Sequence, residues 1–168
     1  YGFSGPKEEG KPGPHLWTDP VHAGEDATLM ARKCSELDPG NSATYDANLT
    51  AFLAKTTALA DALEADQASV PGGIKLVTYH DAYAYFAQTF GWDVVGAVQP
   101  KNFEDPTPQE VAQIIDQIEA EDVTTIFGSE VFPSAVLEEI ANATGARYED
   151  TLRDDDLPGE PGDPEHSF

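Results

Sequence analysis

The sequence predicts an α/β fold, a long linking helix followed by a four-stranded, mainly parallel sheet with helices on both faces. Three observations predict it. After Pro71-Gly72-Gly73, short apolar runs rich in Val, Ile, Thr and Tyr alternate with amphipathic helical stretches, the pattern of strands joined by helical crossovers. Before that break, Tyr45, Leu49, Phe52, Leu53, Thr56, Leu59, Ala60 and Leu63 keep one helical stripe from about Ser42 to about Asp66. The first apolar run, Leu76 to Tyr79, leads into His80, at the end of a strand where open α/β sheets place their ligands.

The elements follow in order. Residues 1 to 14 are rich in Gly, Pro, Lys and Glu and predict a flexible segment. Asp19 followed by Pro20 is a helix start, a capping carboxylate with proline at the first helical position. Ala23, Ala27, Met30, Cys34 and Leu37 mark the inward face of that helix, with His22 off it and solvated, and Pro39-Gly40 ends it. The longer helix comes next, and at 1.5 Å per residue it spans roughly 37 Å, which suggests a strut. His80 and Asp81 then open a helix carrying Ala82, Tyr83, Phe86 and Phe90, stopped by Gly91. The second strand is Asp93 to Val98, followed by a loop from Gln99 to Pro106. A capping box, Thr107 to Glu110, starts a helix with Val111, Ile114, Ile115 and Ile118 inward. The third strand, Thr124 to Phe127, precedes a helix from Pro133 with Val136, Leu137, Ile140 and Ala141 inward. A short strand near Arg147 and Tyr148 leads to the acidic turn Asp154-Asp155-Asp156.

Composition narrows the function. With 168 residues the chain can bury a real core. Nine Lys plus Arg stand against 31 Asp plus Glu, a net charge of −22. Phosphate backbones and anionic lipids need cationic contacts, so neither nucleic acid nor a membrane surface is an expected partner. A cationic ligand, a salty environment or simple solubility suits that charge. Cys34 is the single cysteine, which excludes an intrachain disulfide and a cysteine-based zinc cluster, and its helical position predicts a core residue. No run is apolar and long enough to span a membrane, and the opening is no signal peptide. It reads as the end of a loop in a longer protein, whose export signal lies elsewhere.

Familiar catalytic signatures are absent: no dinucleotide fingerprint follows a strand, and there is no phosphate loop or nucleophile elbow. What remains is histidine and carboxylate at element ends. In a parallel sheet of this order, His80, Glu130 and Asp154 to Asp156 fall at one edge, and His15 joins them if the long helix returns its segment. Two imidazoles with a carboxylate suit zinc, manganese or iron. Equally, Glu130 can tie loops by accepting backbone N–H bonds, and the three aspartates can form an exposed turn.

Four segments carry a resemblance. P-H-L-W-T-D-P (Pro14 to Pro20) resembles the P-H-x-W-x-D-P motif of the metal-binding lipoproteins of bacterial ABC transporters, once described as adhesins. H-D-A-Y-A-Y-F (His80 to Phe86) is similar to the family's H-D-A-F/Y-x-Y-F, F-G-S-E-V-F-P (Phe127 to Pro133) to its phenylalanine–glutamate segment, and L-R-D-D-D-L-P-G (Leu152 to Gly159) to its L-Y-x-D-S-L-x-G. The resemblance implies a two-lobed architecture: residues 1–40 end the first lobe, 41–70 form the linking helix, and 71–168 form the C-terminal lobe. It implies the metal ligands His15, His80 and Asp155, with Glu130 and Asp19 in supporting positions behind them. Arg153, Asp154 and Asp156 depart from the motif, which leaves the choice among the three aspartates open. Histidine rather than glutamate at position 80 points to zinc, with manganese or iron as the alternative. The implied function is non-enzymatic: extracytoplasmic capture of the ion by a lipid-anchored protein and its delivery to an ABC transporter permease. A zinc-dependent hydrolase with Glu130 as base, or a surface adhesin, is the rival of another class.

Overall fold

The computed structural model describes residues 7–8, 11–99, 106–129, 135–150, 152–164 and 166, and they form two compact units. The first unit is helical. It opens with a short hairpin, β1 (Lys7–Glu8) antiparallel to β2 (Lys11–Pro12), where the composition predicts a flexible segment.

α1 (Pro20–Leu37) begins as expected, with Asp19 Oδ1 accepting from Val21 N at 2.9 Å and proline in the first turn. Its inward face differs from the expected one. Pro20, Ala23 and Gly24 are buried and Ala27, Ala31 and Ser35 half-buried, whereas Met30 is 62 % and Leu37 76 % exposed and Cys34 lies on the surface. The reason is packing distance. A Cβ at Gly24 would sit 3.0 Å from Leu53 Cδ2, so the two long helices meet through a row of small residues, and the larger side chains turn outward. α2 (Ser42–Ser69) runs three residues past its expected end, buries Thr56 and Ala60, and keeps Tyr45, Leu49, Phe52, Leu53 and Leu63 half-buried along the anticipated stripe.

α3 (Ala84–Phe90) belongs to this unit from Tyr85 onward, burying Tyr85, Phe86, Ala87 and Phe90, and stops at Gly91 with φ 68°. It starts at Ala84 rather than at His80. The strand before it extends through His80, and a bend with Ala82 N donating to His80 O (3.0 Å) intervenes.

The second unit is the sheet. β3 (Lys75–His80), β4 (Asp93–Gln99), β5 (Thr125–Phe127) and β6 (Arg147–Glu149) lie in the order β4-β3-β5-β6, and every pairing is parallel. Leu76, Val77, Thr78 and Tyr79 are all buried, which is why β3 reads as an unbroken run rather than an alternation. α4 (Pro108–Ala120), started by the reciprocal Thr107–Glu110 capping box, and α5 (Ala135–Thr144) supply Ile114, Ile118, Leu137 and Ile140 to a core with Val77, Tyr79, Val98, Val123 and Ile126. Lys75 Nζ, donating to Glu121 O (2.6 Å) and Oε2 (2.8 Å), ties the start of β3 to the end of α4. The Gln99–Pro106 loop between its ends and the expected helix start at Pro133 lie outside the described residues. Among the described residues no helix is long and apolar enough to cross a membrane.

Candidate metal centre

The sheet reverses its order at β3: the chain steps outward to β4, then crosses back to β5 on the other side. Such switch points open a crevice beyond the carboxyl ends of the two diverging strands. His80 is the last residue of β3, and Thr78 Oγ1, donating to His80 O at 2.7 Å, fixes the strand end. Thr78 pairs with Phe127, the last residue of β5, so Gly128 and Ser129 emerge beside His80. Gly128 is closely covered there by the Tyr148 side chain. A Cβ would approach Tyr148 Oη to 2.7 Å, and Gly128 N still donates to Glu149 O at 2.8 Å.

The acidic turn is bound to the same edge. Ser129 Oγ donates to Asp154 Oδ1 at 2.7 Å, and Tyr83 Oη donates to Arg153 O at 2.9 Å. Asp154 is therefore 5 % exposed, whereas Asp155 and Asp156 face solvent, with Asp156 Oδ1 accepting from Leu157 N at 2.8 Å. The three residues form a bend rather than an extended strand, and of the three only Asp154 is enclosed. Glu130 lies outside the described residues.

His15 belongs to the first unit. It precedes a single 3-10 turn, Leu16–Thr18, whose Thr18 Oγ1 donates to His15 O at 3.0 Å, and its ring meets Trp17 edge-to-face at 5.3 Å. Asp19 follows, fully buried. Besides capping α1 it accepts from His22 Nδ1 at 2.5 Å and from Thr89 Oγ1. His22, expected in solvent, is thus part of a buried carboxylate's hydrogen-bond set. Tyr85 Oη donates to Gly13 O at 2.8 Å, and burial pushes the Tyr85 hydroxyl above the ordinary tyrosine value, which keeps it a donor.

Among the described residues, no group of three His, Cys, Asp or Glu side chains is arranged to hold a metal ion. Within the sheet unit, His80 and the acidic turn share one edge, a donor set of imidazole and carboxylate suited to a divalent transition metal. Sequence reasoning missed Ser129, Tyr83, Tyr85 and Thr89. Their partners lie 25 to 72 residues away, beyond any local pattern.

The family model described as "Zinc-uptake complex component A periplasmic" matches residues 4–166. The chain belongs to this family. Its relatives differ in the metal they are named for. The high-affinity zinc uptake system protein ZnuA of Brucella abortus is 29% identical over 133 residues, 79% of this chain and 40% of its own. The iron-binding protein YfeA of Yersinia pestis is 30% identical over 151 residues, 89% of this chain and 48% of its own. The solved structure of FpvC from Pseudomonas aeruginosa in complex with Mn2+ superposes with a TM-score of 0.75 at 29% identity, covering 89% of this chain and 56% of that one. The chain spans about half the length of the relatives it matches.

Proposed function

We propose that this chain serves extracytoplasmic capture of a transition metal ion, zinc by preference, and its delivery to the permease of an ABC transporter. The observation that carries the reading is His80 at the carboxyl end of β3, at the sheet's switch point, with the acidic turn bonded to the same edge. Membership of a family of metal-uptake components supports it. His15, His80 and Asp155 are the proposed ligands, with Asp154 the alternative carboxylate, and Asp19 and Glu130 the proposed supports. Two imidazoles and one carboxylate leave one tetrahedral position for a further donor or water. Imidazole in place of carboxylate at position 80 favours zinc, and manganese or iron is the alternative, in line with the spread of metals among relatives of similar identity. The ion is cargo, and no bond of a substrate is broken. α2 is proposed as the helix that links two lobes.

Zinc titration by calorimetry of the parent, His80→Ala, and each of Asp154→Asn, Asp155→Asn and Asp156→Asn tests the assignment. Loss of binding in His80→Ala and in one of the aspartate variants is expected, with Asp155 the proposed one. Parent-like binding by His80→Ala would remove the reading.

A further inference from the structure

We propose that Tyr85 and Thr89 are positioning residues that hold the His15 segment in its metal-binding conformation, making α3 a clasp on one proposed ligand. The inference rests on the assignment of His15 made above and goes on to say what keeps that residue in place.

His15 lies in an irregular segment, with Thr18 Oγ1 donating to its carbonyl at 3.0 Å and its ring edge-to-face on Trp17. It is followed by one 3-10 turn closed by Asp19 N donating to Leu16 O (3.2 Å), and preceded by Pro14, whose carbonyl accepts from Leu16 N (3.0 Å). A segment of this kind loses conformational freedom when its side chain is captured by an ion, and that loss weakens binding unless the segment is held beforehand. α3 holds it at both ends. Tyr85 Oη donates to Gly13 O, two residues before His15, and Thr89 Oγ1 donates to Asp19, four residues after it. Tyr85 and Thr89 are one helical turn apart, so both project from one face of α3. His22 closes the ring of contacts, with Nδ1 on Asp19 Oδ2 (2.5 Å) and its ring edge-to-face on Tyr85 at 5.5 Å. Asp19 and Tyr85 are buried, so water does not compete for these bonds. The clasp has a second consequence. α3 begins four residues after His80, so the helix that follows one proposed ligand in sequence anchors the segment that carries another.

The test uses the 168-residue chain with Tyr85→Phe, Thr89→Val, their double variant, Thr89→Ser and His15→Ala. Phe keeps the ring against His22 and Val keeps the volume of Thr, so each removes one hydroxyl only. Zinc affinity and zinc dissociation rate are measured, together with amide hydrogen exchange of residues 14–19 in the metal-free chain. The double variant is expected to bind zinc roughly tenfold more weakly, mostly through faster dissociation, and to exchange the 14–19 amides faster, while Thr89→Ser, which retains the hydroxyl, behaves as the parent. A double variant that binds zinc as the parent does, while His15→Ala loses binding, overturns the clasp and leaves the ligand assignment standing. Parent-like binding by His15→Ala overturns the ligand assignment instead, and the exchange rates of residues 14–19 then judge the clasp alone. Should the double variant fail to fold, the two single variants carry the same comparison at a smaller effect.

Discussion

Each of the two units is stabilised internally by different physics. The sheet unit has a dry core in which Val77, Ile126, Leu137 and Ile140 are almost wholly removed from water, and its polar groups gather at one edge. The helical unit buries mainly small residues along α1 and α2, and its most enclosed polar group is a carboxylate, Asp19, with a backbone amide, an imidazole and a hydroxyl as partners. An apolar core is tolerant in direction and intolerant of lost volume. A polar hub is the reverse: it fixes geometry, and each partner lost leaves a buried group unsatisfied. A loop proposed to present His15 to an ion is better served by the second.

The largest test of this contrast is truncation. Ile126→Ala, deep in the sheet unit, is expected to lower unfolding free energy by about 2–5 kcal/mol, whereas Met30→Ala on the exposed side of α1 is expected to cost about 0.5 kcal/mol or less; urea unfolding measures both. Comparable losses would show that α1's outer side is packed in solution.

Asp19→Ala is next. It deletes the α1 cap and strands His22 and Thr89, with an expected loss of about 2–3 kcal/mol, while Asp19→Asn, which keeps an acceptor, loses less. Equal unfolding midpoints for the parent and Asp19→Ala would dissolve the hub.

The third test returns to the sheet edge. Gly128→Ala forces a methyl to within 2.7 Å of Tyr148 Oη, with an expected loss of about 1–3 kcal/mol that Tyr148→Phe partly restores. No recovery in the double variant would place the strain in the backbone.

The smallest effect is electrostatic. The hydrogen bond from Lys75 holds Glu121 below the ordinary glutamate value, and the same bond holds Lys75 above the ordinary lysine value. The lowered carboxyl stabilises the fold above its unfolded value and ceases to do so as pH falls through the folded one. The raised ammonium stabilises below its unfolded value until pH rises through the folded one. The pair therefore acts across the neutral range. Glu121 is exposed and Lys75 half-buried, so solvent screens the pair and the difference in melting temperature between the parent and Glu121→Gln should be small near neutrality and vanish in acid. A difference that grew in acid would reverse the sign of this coupling.

The sequence was most informative where periodicity and capping are local. The continuous apolar run of β3, the Thr107–Glu110 box and the Asp19-Pro20 start each state their structure within a few residues. It misled on α1, because a stripe of Met30, Cys34 and Leu37 has the right spacing, yet only the small residues beside it permit close approach to α2. It misled at His80, because strand pairing to Gln99 outlasts the first helix-forming residues. At the candidate site, the position of His80 could be read from the strand it ends. The bonds that fix its surroundings could not, since Ser129 to Asp154 and Thr89 to Asp19 join residues that only the folded chain brings together.

The edge-to-face contact between His15 and Trp17 gives the chain an optical readout. Of its two tryptophans, Trp17 lies in the helical unit against the proposed ligand and Trp92 lies in the sheet unit. An indole's emission responds to the charge of an imidazole in contact with it, so the proposed capture of an ion by His15 is expected to change the protein's own fluorescence. Trp92 then serves as an internal reference and Trp17→Phe as the blank.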